Sequence, residues 1–371
     1  MDMDYYELDK YLNMIGYSIQ LPDNKRKEIS DSYKAVAEYI NNNNDLAEDV
    51  DVSIYYHGSF AIDTVIKPIK GEDFDLDIVV EFDSSKKEMS ANKFYNSFLE
   101  TFKDGRYGDM VEEYRNSVRL NYESNYHFDI MPSVPLRANS HALYVPDAKK
   151  HDWVIRSPKT YIDWFMAQTS KIKGYKIKST DSRRLIMESE VTPLKSKQPY
   201  EVTPTLIRVV QLIKRIKDVF FHDYTGEREP QSIVITTLAA KYYNGEYSVY
   251  EALSNIIKKM KQLYDNNSRF MVANPSYSTE VFTEKWPKHI EYYTNYQKFV
   301  NYAFVEIGDL LKPDKAKKAF RNLFGQHPFD DVYEQTKHDH FWNQQPSNIT
   351  KGNVFPDEQV RINKKERGNA W

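Results

Sequence analysis

The spacing of apolar positions divides the chain into a region where the period changes and a region where it stays helical. Over residues 25–40, Ile29, Tyr33, Val36 and Ile40 recur at four- and three-residue steps, which predicts one buried face of an amphipathic helix. The polar run Asn41 to Asn44 should end it. The period then shortens to two. In DFDLDIVVEF, Phe74, Leu76, Ile78 and Val80 alternate with Asp73, Asp75 and Asp77, the pattern of a strand with one apolar face. SIYYHGSF precedes this strand, and a loop containing Pro68 and Gly71 separates the two. RNSVRLNY and YHFDIMPSV read as two further strands. After Trp153 the helical period returns. SPKTYIDWF offers Ser157 as an N-cap and Pro158 as the first helical residue. Residues 204–221 carry Leu206, Val210, Ile213 and Phe220 on one face, and helices are also predicted at 248–264 and 283–307. KAKKAFRNLFG should stop at Gly325, and the polar tail from about residue 338 should wrap loosely over the surface. The sequence thus predicts an α+β fold, with a mixed helix-and-strand unit over residues 1–160 and a helical unit over 161–371.

Composition narrows the classes of function. The chain has 371 residues and no Cys, so disulfides, thiolate catalysis and Cys-based zinc sites are excluded. Lys and Arg number 51 against 54 Asp and Glu, a balance that lacks the basic excess of a dedicated polynucleotide binder. The 29 Tyr are better read as half-buried packing residues than as base-stacking platforms. The N-terminus lacks the basic segment and apolar run of a signal peptide, and no stretch approaches a membrane span. A cytoplasmic setting without a membrane partner is expected.

The strand at 73–82 concentrates the candidate chemistry. Alternation puts Asp73, Asp75 and Asp77 on one face. Stacked like charges are unfavourable unless a cation neutralises them, and hard oxygen donors at this spacing suit Mg²⁺ or Mn²⁺. An acidic solvated face is the plainer reading of this strand by itself. Gly58-Ser59 follows an apolar segment and offers close backbone approach and a hydroxyl to a phosphate, although Gly-Ser is also a common turn. Asp129 lies on another predicted strand, where Asp is disfavoured. A third carboxylate beside the pair would complete a site for two metal ions roughly 4 Å apart. His57 and His127 flank these segments, and no catalytic role is assigned to either.

In combination, GSFAIDTVIKPIKGEDFDLDIVVEF and YHFDIMPSVP resemble the polymerase-β-like nucleotidyltransferases, and most of all their bacterial CD-NTase (cGAS/DncV-like) branch. SPKTYIDWF, RVVQLIKRIKDVFF, PQSIVITTLAAKYY, NPSYSTEVFTEKW and FRNLFG extend the resemblance from about residue 10 to residue 330. The resemblance implies a mixed-sheet core and a C-terminal helical domain, forming two lobes with nucleotides in the cleft between them. It implies that Asp75, Asp77 and Asp129 are catalytic and hold two Mg²⁺ or Mn²⁺ ions. Gly58, Ser59, Lys214 and Ser232 would bind the triphosphate. For Lys214 the alternative is a solvated basic helix face, and for Ser232 it is a helix cap. Asp73 and Asp75 have the same spacing as Asp75 and Asp77; the latter pair is preferred because Ile78-Val79-Val80 follows it directly.

The implied activity is synthesis of a cyclic di- or trinucleotide second messenger from ATP, GTP or a pyrimidine NTP. The product would diffuse to an effector in bacterial CBASS antiphage defence, with a regulatory protein as a further partner and no obligate nucleic acid. Two alternatives are a linear nucleotidyltransferase acting on RNA, a small molecule or a protein, and a non-catalytic nucleotide-binding scaffold.

Overall fold

The computed structural model describes residues 5–48, 50–69, 73–123, 126–137, 140–171, 191–194, 200–224, 226, 228–339 and 342. Helices α1 (Tyr5–Ser18) and α2 (Asp23–Asn43) precede strand β1 (Val52–Tyr56), the one-turn helix α3 (Gly58–Ala61) and β2 (Phe74–Phe82). Helix α4 (Ala91–Lys103) leads to β3 (Val111–Glu113), β4 (Val118–Tyr122), β5 (Tyr126–Pro135), β6 (Leu143–Asp147) and β7 (Asp152–Arg156). The rest is helical apart from one hairpin: α5 (Pro158–Thr169), α6 (Thr205–Phe221), α7 (Ser232–Tyr242), α8 (Val249–Asn266), the hairpin β8 (Ala273–Asn274) and β9 (Tyr277–Val281), then α9 (Glu291–Asp309), α10 (Ala316–Phe324) and α11 (Gln326–Thr336).

The main sheet runs β1-β2-β5-β4-β3, and the far end of β5 also pairs with β6, which pairs with β7. The β2–β5 pair is parallel and the other pairs are antiparallel. The period-two pattern in β2 is realised as expected. Leu76, Ile78 and Val80 enter a core with Phe128 and Ile130, closed by Tyr33 and Ile40 from α2 and Phe94 and Phe98 from α4. A smaller cluster of Tyr55, Val79, Met131, Leu143 and Val145 fills part of the opposite face. The acidic residues of β2 lie on that opposite face.

The helical core is separate. Val210 and Ile213 of α6, Leu253 of α8, Phe299 of α9, Phe320 of α10 and Trp286 are buried in one cluster. Leu8, Tyr11, Leu12 and Ile15 of α1 join this cluster rather than the sheet core.

Local chemistry explains the element boundaries. Ser248 accepts from the backbone N–H of Glu251 at 3.0 Å, a capping interaction that starts α8. Gly325 adopts φ 87 and stops α10 as expected. Helix α2 runs through Asn43, with the Asn43 amide donating back to the Tyr39 carbonyl at 2.9 Å. Ser157 stands at the N-cap position of α5, but its hydroxyl pairs with Thr160 Oγ1 at 2.8 Å and caps no backbone N–H. The helix expected over 283–307 begins only at Glu291. Pro287 limits the segment before it to a single 3₁₀ turn, Trp286–Lys288, and His289 leaves helical backbone space at φ −138, ψ 87. Gly71 and the tail beyond Trp342 lie outside the described residues. Trp342 itself is buried against Tyr11, with ring centroids 4.7 Å apart. No helix among the described residues is long and apolar enough to cross a membrane.

Candidate active site

Strand register assembles the acidic residues. Across the parallel β2–β5 pair, Asp75 lies opposite His127 and Asp77 lies opposite Asp129. The next strand, β4, places Arg119 opposite Asp129. Asp73 precedes β2; it and Asp75 are both exposed, Asp75 with 59% of its side chain accessible.

A cavity of about 400 Å³ opens between this sheet face and the helices. Gly58, Ser59, Asp75, Asp77, Lys214 and Ser232 all line it. Asp129 does not line it; its carboxylate turns to Arg119, which donates from Nε and Nη2 to the two carboxylate oxygens, each at 2.7 Å. Asp75 Oδ1 lies 2.5 Å from His127 Nε2.

The acids respond differently to this setting. Burial raises the Asp75 pKa, but His127, aided by Arg119 and Lys214, outweighs it and holds the carboxyl below its ordinary range. Asp77 is pushed up to about 7 by burial and then by the charges of Asp75 and Asp129. Burial likewise lowers His57 to about 4, so this imidazole is neutral at neutral pH.

Gly58 is a steric requirement of the site. Its φ is +59, and a Cβ there would stand 2.0 Å from Asp77 Oδ2. The His57 N–H donates to the Asp77 carbonyl at 2.8 Å, which fixes the start of α3 against β2.

The helical side supplies the cation. Lys214 lies on α6 beyond Ile207 and Val210, both buried, and its Nζ donates to the Thr64 carbonyl at 3.0 Å. Burial lowers its pKa against the opposing pull of Asp218 and Asp75. On the same helix Gln211 donates to the Asp63 carbonyl at 2.8 Å, and Arg215 donates to that of Lys67. Ser232 is the first residue of α7, after Gln231 at the N-cap position, so the α7 N-terminus borders the cavity.

The sequence pattern gave no role to the opposite wall. There Glu280 of β9 accepts from Asn274 Nδ2 at 2.8 Å and from the Ser157 N–H at 3.1 Å, with Arg156 Nε 3.8 Å from its other oxygen. NPSYSTEVFTEKW and SPKTYIDWF held the signal as segments, without showing that they meet.

The donor set fits a divalent ion. All three acids offer hard oxygen ligands, and the elevated Asp77 pKa marks a charge cluster that a cation would relieve. With Asp75 on His127 and Asp129 on Arg119, no group of three ligating side chains is assembled among the described residues.

A mixed sheet that presents Asp75 and Asp77 to a cleft bordered by helices fits a nucleotidyltransferase, the class of enzyme that the relatives support. A family profile described as the Second Messenger Oligonucleotide or Dinucleotide Synthetase domain matches residues 7–168. The chain is 27% identical over 331 residues to a c-di-GMP synthase of Roseivirga ehrenbergii, covering 87% of this chain and 85% of the relative. It is 23% identical over 312 residues to the cyclic dinucleotide synthase CdnG of Bradyrhizobium diazoefficiens, covering 79% and 74% of the two chains. The solved structure of the Bradyrhizobium diazoefficiens CD-NTase CdnG in complex with GTP superposes with a TM-score of 0.71 at 20% identity, covering 89% of this chain and 99% of that one. Residues 7–168 thus match a second-messenger nucleotide synthetase domain, and the chain shares the fold of the CD-NTases. CD-NTases generally use divalent metal ions.

Proposed function

We propose that this enzyme joins two nucleoside triphosphates into a cyclic dinucleotide, with GTP as the principal substrate. The observation that carries this reading is one cavity lined by Asp75 and Asp77 from one strand, a Gly58-Ser59 turn, Lys214 and the start of α7 at Ser232. The c-di-GMP synthase and CdnG among the relatives favour a dinucleotide over a larger ring, and GTP over other triphosphates.

Ser59, the backbone N–H groups of α3, Lys214 and Ser232 would hold the donor triphosphate. Two Mg²⁺ or Mn²⁺ ions on Asp75, Asp77 and Asp129 would supply Lewis-acid stabilisation of the developing charge. A ribose hydroxyl attacks the α-phosphorus, pyrophosphate leaves, and Asp129 helps to remove the hydroxyl proton. A second transfer in the same cleft closes the ring. Residues 1–160 and 161–371 then act as the catalytic and pocket-completing units, with α1 packed into the latter. The product serves as a diffusible messenger for an effector in bacterial CBASS antiphage defence.

The test is incubation with all four NTPs and Mg²⁺, without primer, followed by phosphatase treatment and mass spectrometry. A phosphatase-resistant product with the mass of cyclic di-GMP is expected. A linear, phosphatase-sensitive product, or label incorporated only into added RNA, overturns the reading.

A further inference from the structure

Across the β2–β5–β4 register each outer acid of the site faces a base, while Asp77 faces another acid. Asp75 faces His127 and Asp129 faces Arg119, whereas Asp77 faces Asp129. Cross-strand neighbours of this kind interact directly, favourably for opposite charges and unfavourably for like charges. The Arg119 fork closes on both oxygens of Asp129 at 2.7 Å, a bidentate geometry that fixes the plane of the carboxylate. The guanidinium also sits 4.2 Å from the Tyr114 ring centroid, a cation–π contact that steadies it. Both partners are largely sheltered, with side-chain exposures of 18% and 20%, so solvent screens the pair less than it would a surface bridge.

We propose that Arg119 is a positioning residue that holds the Asp129 carboxylate in the metal-free enzyme and competes with a divalent ion for it. Before metal arrives, its positive charge takes the place of the cation on the third carboxylate. To join Asp75 and Asp77 around a divalent ion, Asp129 would have to give up part of the Arg119 fork, which would still align the carboxylate. Arg119 therefore weakens metal binding and sharpens its geometry at once. This rests on the reading of the three acids as metal ligands.

The experiment measures Mn²⁺ binding to the nucleotide-free enzyme from the EPR signal of free Mn²⁺, alongside turnover at saturating metal. Arg119→Gln removes the competing charge and should tighten Mn²⁺ binding by about three- to tenfold, while lowering kcat. Arg119→Lys keeps a point charge but loses the fork, so Mn²⁺ affinity should stay near wild type while kcat still falls. If the Gln variant does not fold, Arg119→Met removes the same charge and keeps an apolar stem against Tyr114. Unchanged or weaker Mn²⁺ binding in the folded charge-removed variant overturns the proposal, and so does full kcat in Arg119→Lys. Asp77→Asn and Asp129→Asn separate the two levels. If neither weakens Mn²⁺ binding, the reading of the acids as ligands fails. If both weaken it and Arg119→Gln does not tighten it, only the role given to Arg119 fails.

Discussion

The sheet and the helical lobe contribute to the cleft by opposite means. The sheet places charge by backbone register. Asp77 and Asp129 stand opposite each other because β2 and β5 are parallel partners, and each carries a short side chain with little freedom. The helical lobe places charge at the end of a long stem. Lys214 extends from α6 past a buried apolar stripe and is steadied by a single carbonyl, that of Thr64. The rigid side should therefore tolerate almost no change, and the adaptable side should fail by degrees.

The sharpest way to break this comparison is on the sheet. Asp77→Asn or Asp75→Asn should reduce nucleotide incorporation by about 10³-fold while the protein still folds. Turnover of labelled GTP within tenfold of wild type would show that register does not set the chemistry. Gly58→Ala should come next, with about a 10²-fold loss in kcat, because a Cβ would drive into the Asp77 carboxylate on a backbone of positive φ. Circular dichroism should confirm that its fold is kept, and wild-type kcat would sink the steric argument.

On the helical side, Lys214→Met should raise KM for the triphosphate about tenfold, with a smaller change in kcat. Steady-state kinetics distinguish this from a sheet-like collapse of kcat, which would remove the contrast between the lobes. The smallest effect concerns stability. Asp77 in the folded state is raised to about 7, so its protonation favours the fold. That contribution is fully present below the ordinary carboxylate pKa and is lost as pH rises through about 7. Metal-free wild type should therefore lose about 1–2 kcal/mol relative to Asp77→Asn between pH 4 and pH 8, less than for an enclosed carboxylate because the group borders an open cleft. His57 titrates in the opposite sense but is common to both proteins, so it cancels in the difference. Parallel denaturant melts across this range that showed no pH-dependent gap would refute the assignment.

The sequence made the two lobes unequally legible for the same physical reason. A strand advertises its faces by a period of two, so the apolar and acidic faces of β2 could be read directly. What register joins could not be read. Arg119 lies in RNSVRLNY with nothing to mark it, because its meaning comes from the antiparallel partner that puts it on Asp129. His127 was visible beside Asp129, yet its contact with Asp75 requires knowing that β2 and β5 run parallel. Helix α1 is not among the elements the sequence predicts, although Leu8, Leu12 and Ile15 step by four and three, and only packing assigns it to the helical core. Glu280, Asn274 and Arg156 converge from segments more than a hundred residues apart, and no local pattern encodes that meeting.

Helix α6 holds the loop after α3 through successive polar side chains, with Gln211 on Asp63, Lys214 on Thr64 and Arg215 on Lys67. All three contacts end on main-chain carbonyls, so they are indifferent to the loop's side chains but depend on its path. Chimeras that exchange helical lobes between homologues should work when the loop length between α3 and β2 travels with the lobe. They should fail when one residue is inserted or removed there, whatever amino acids the loop carries.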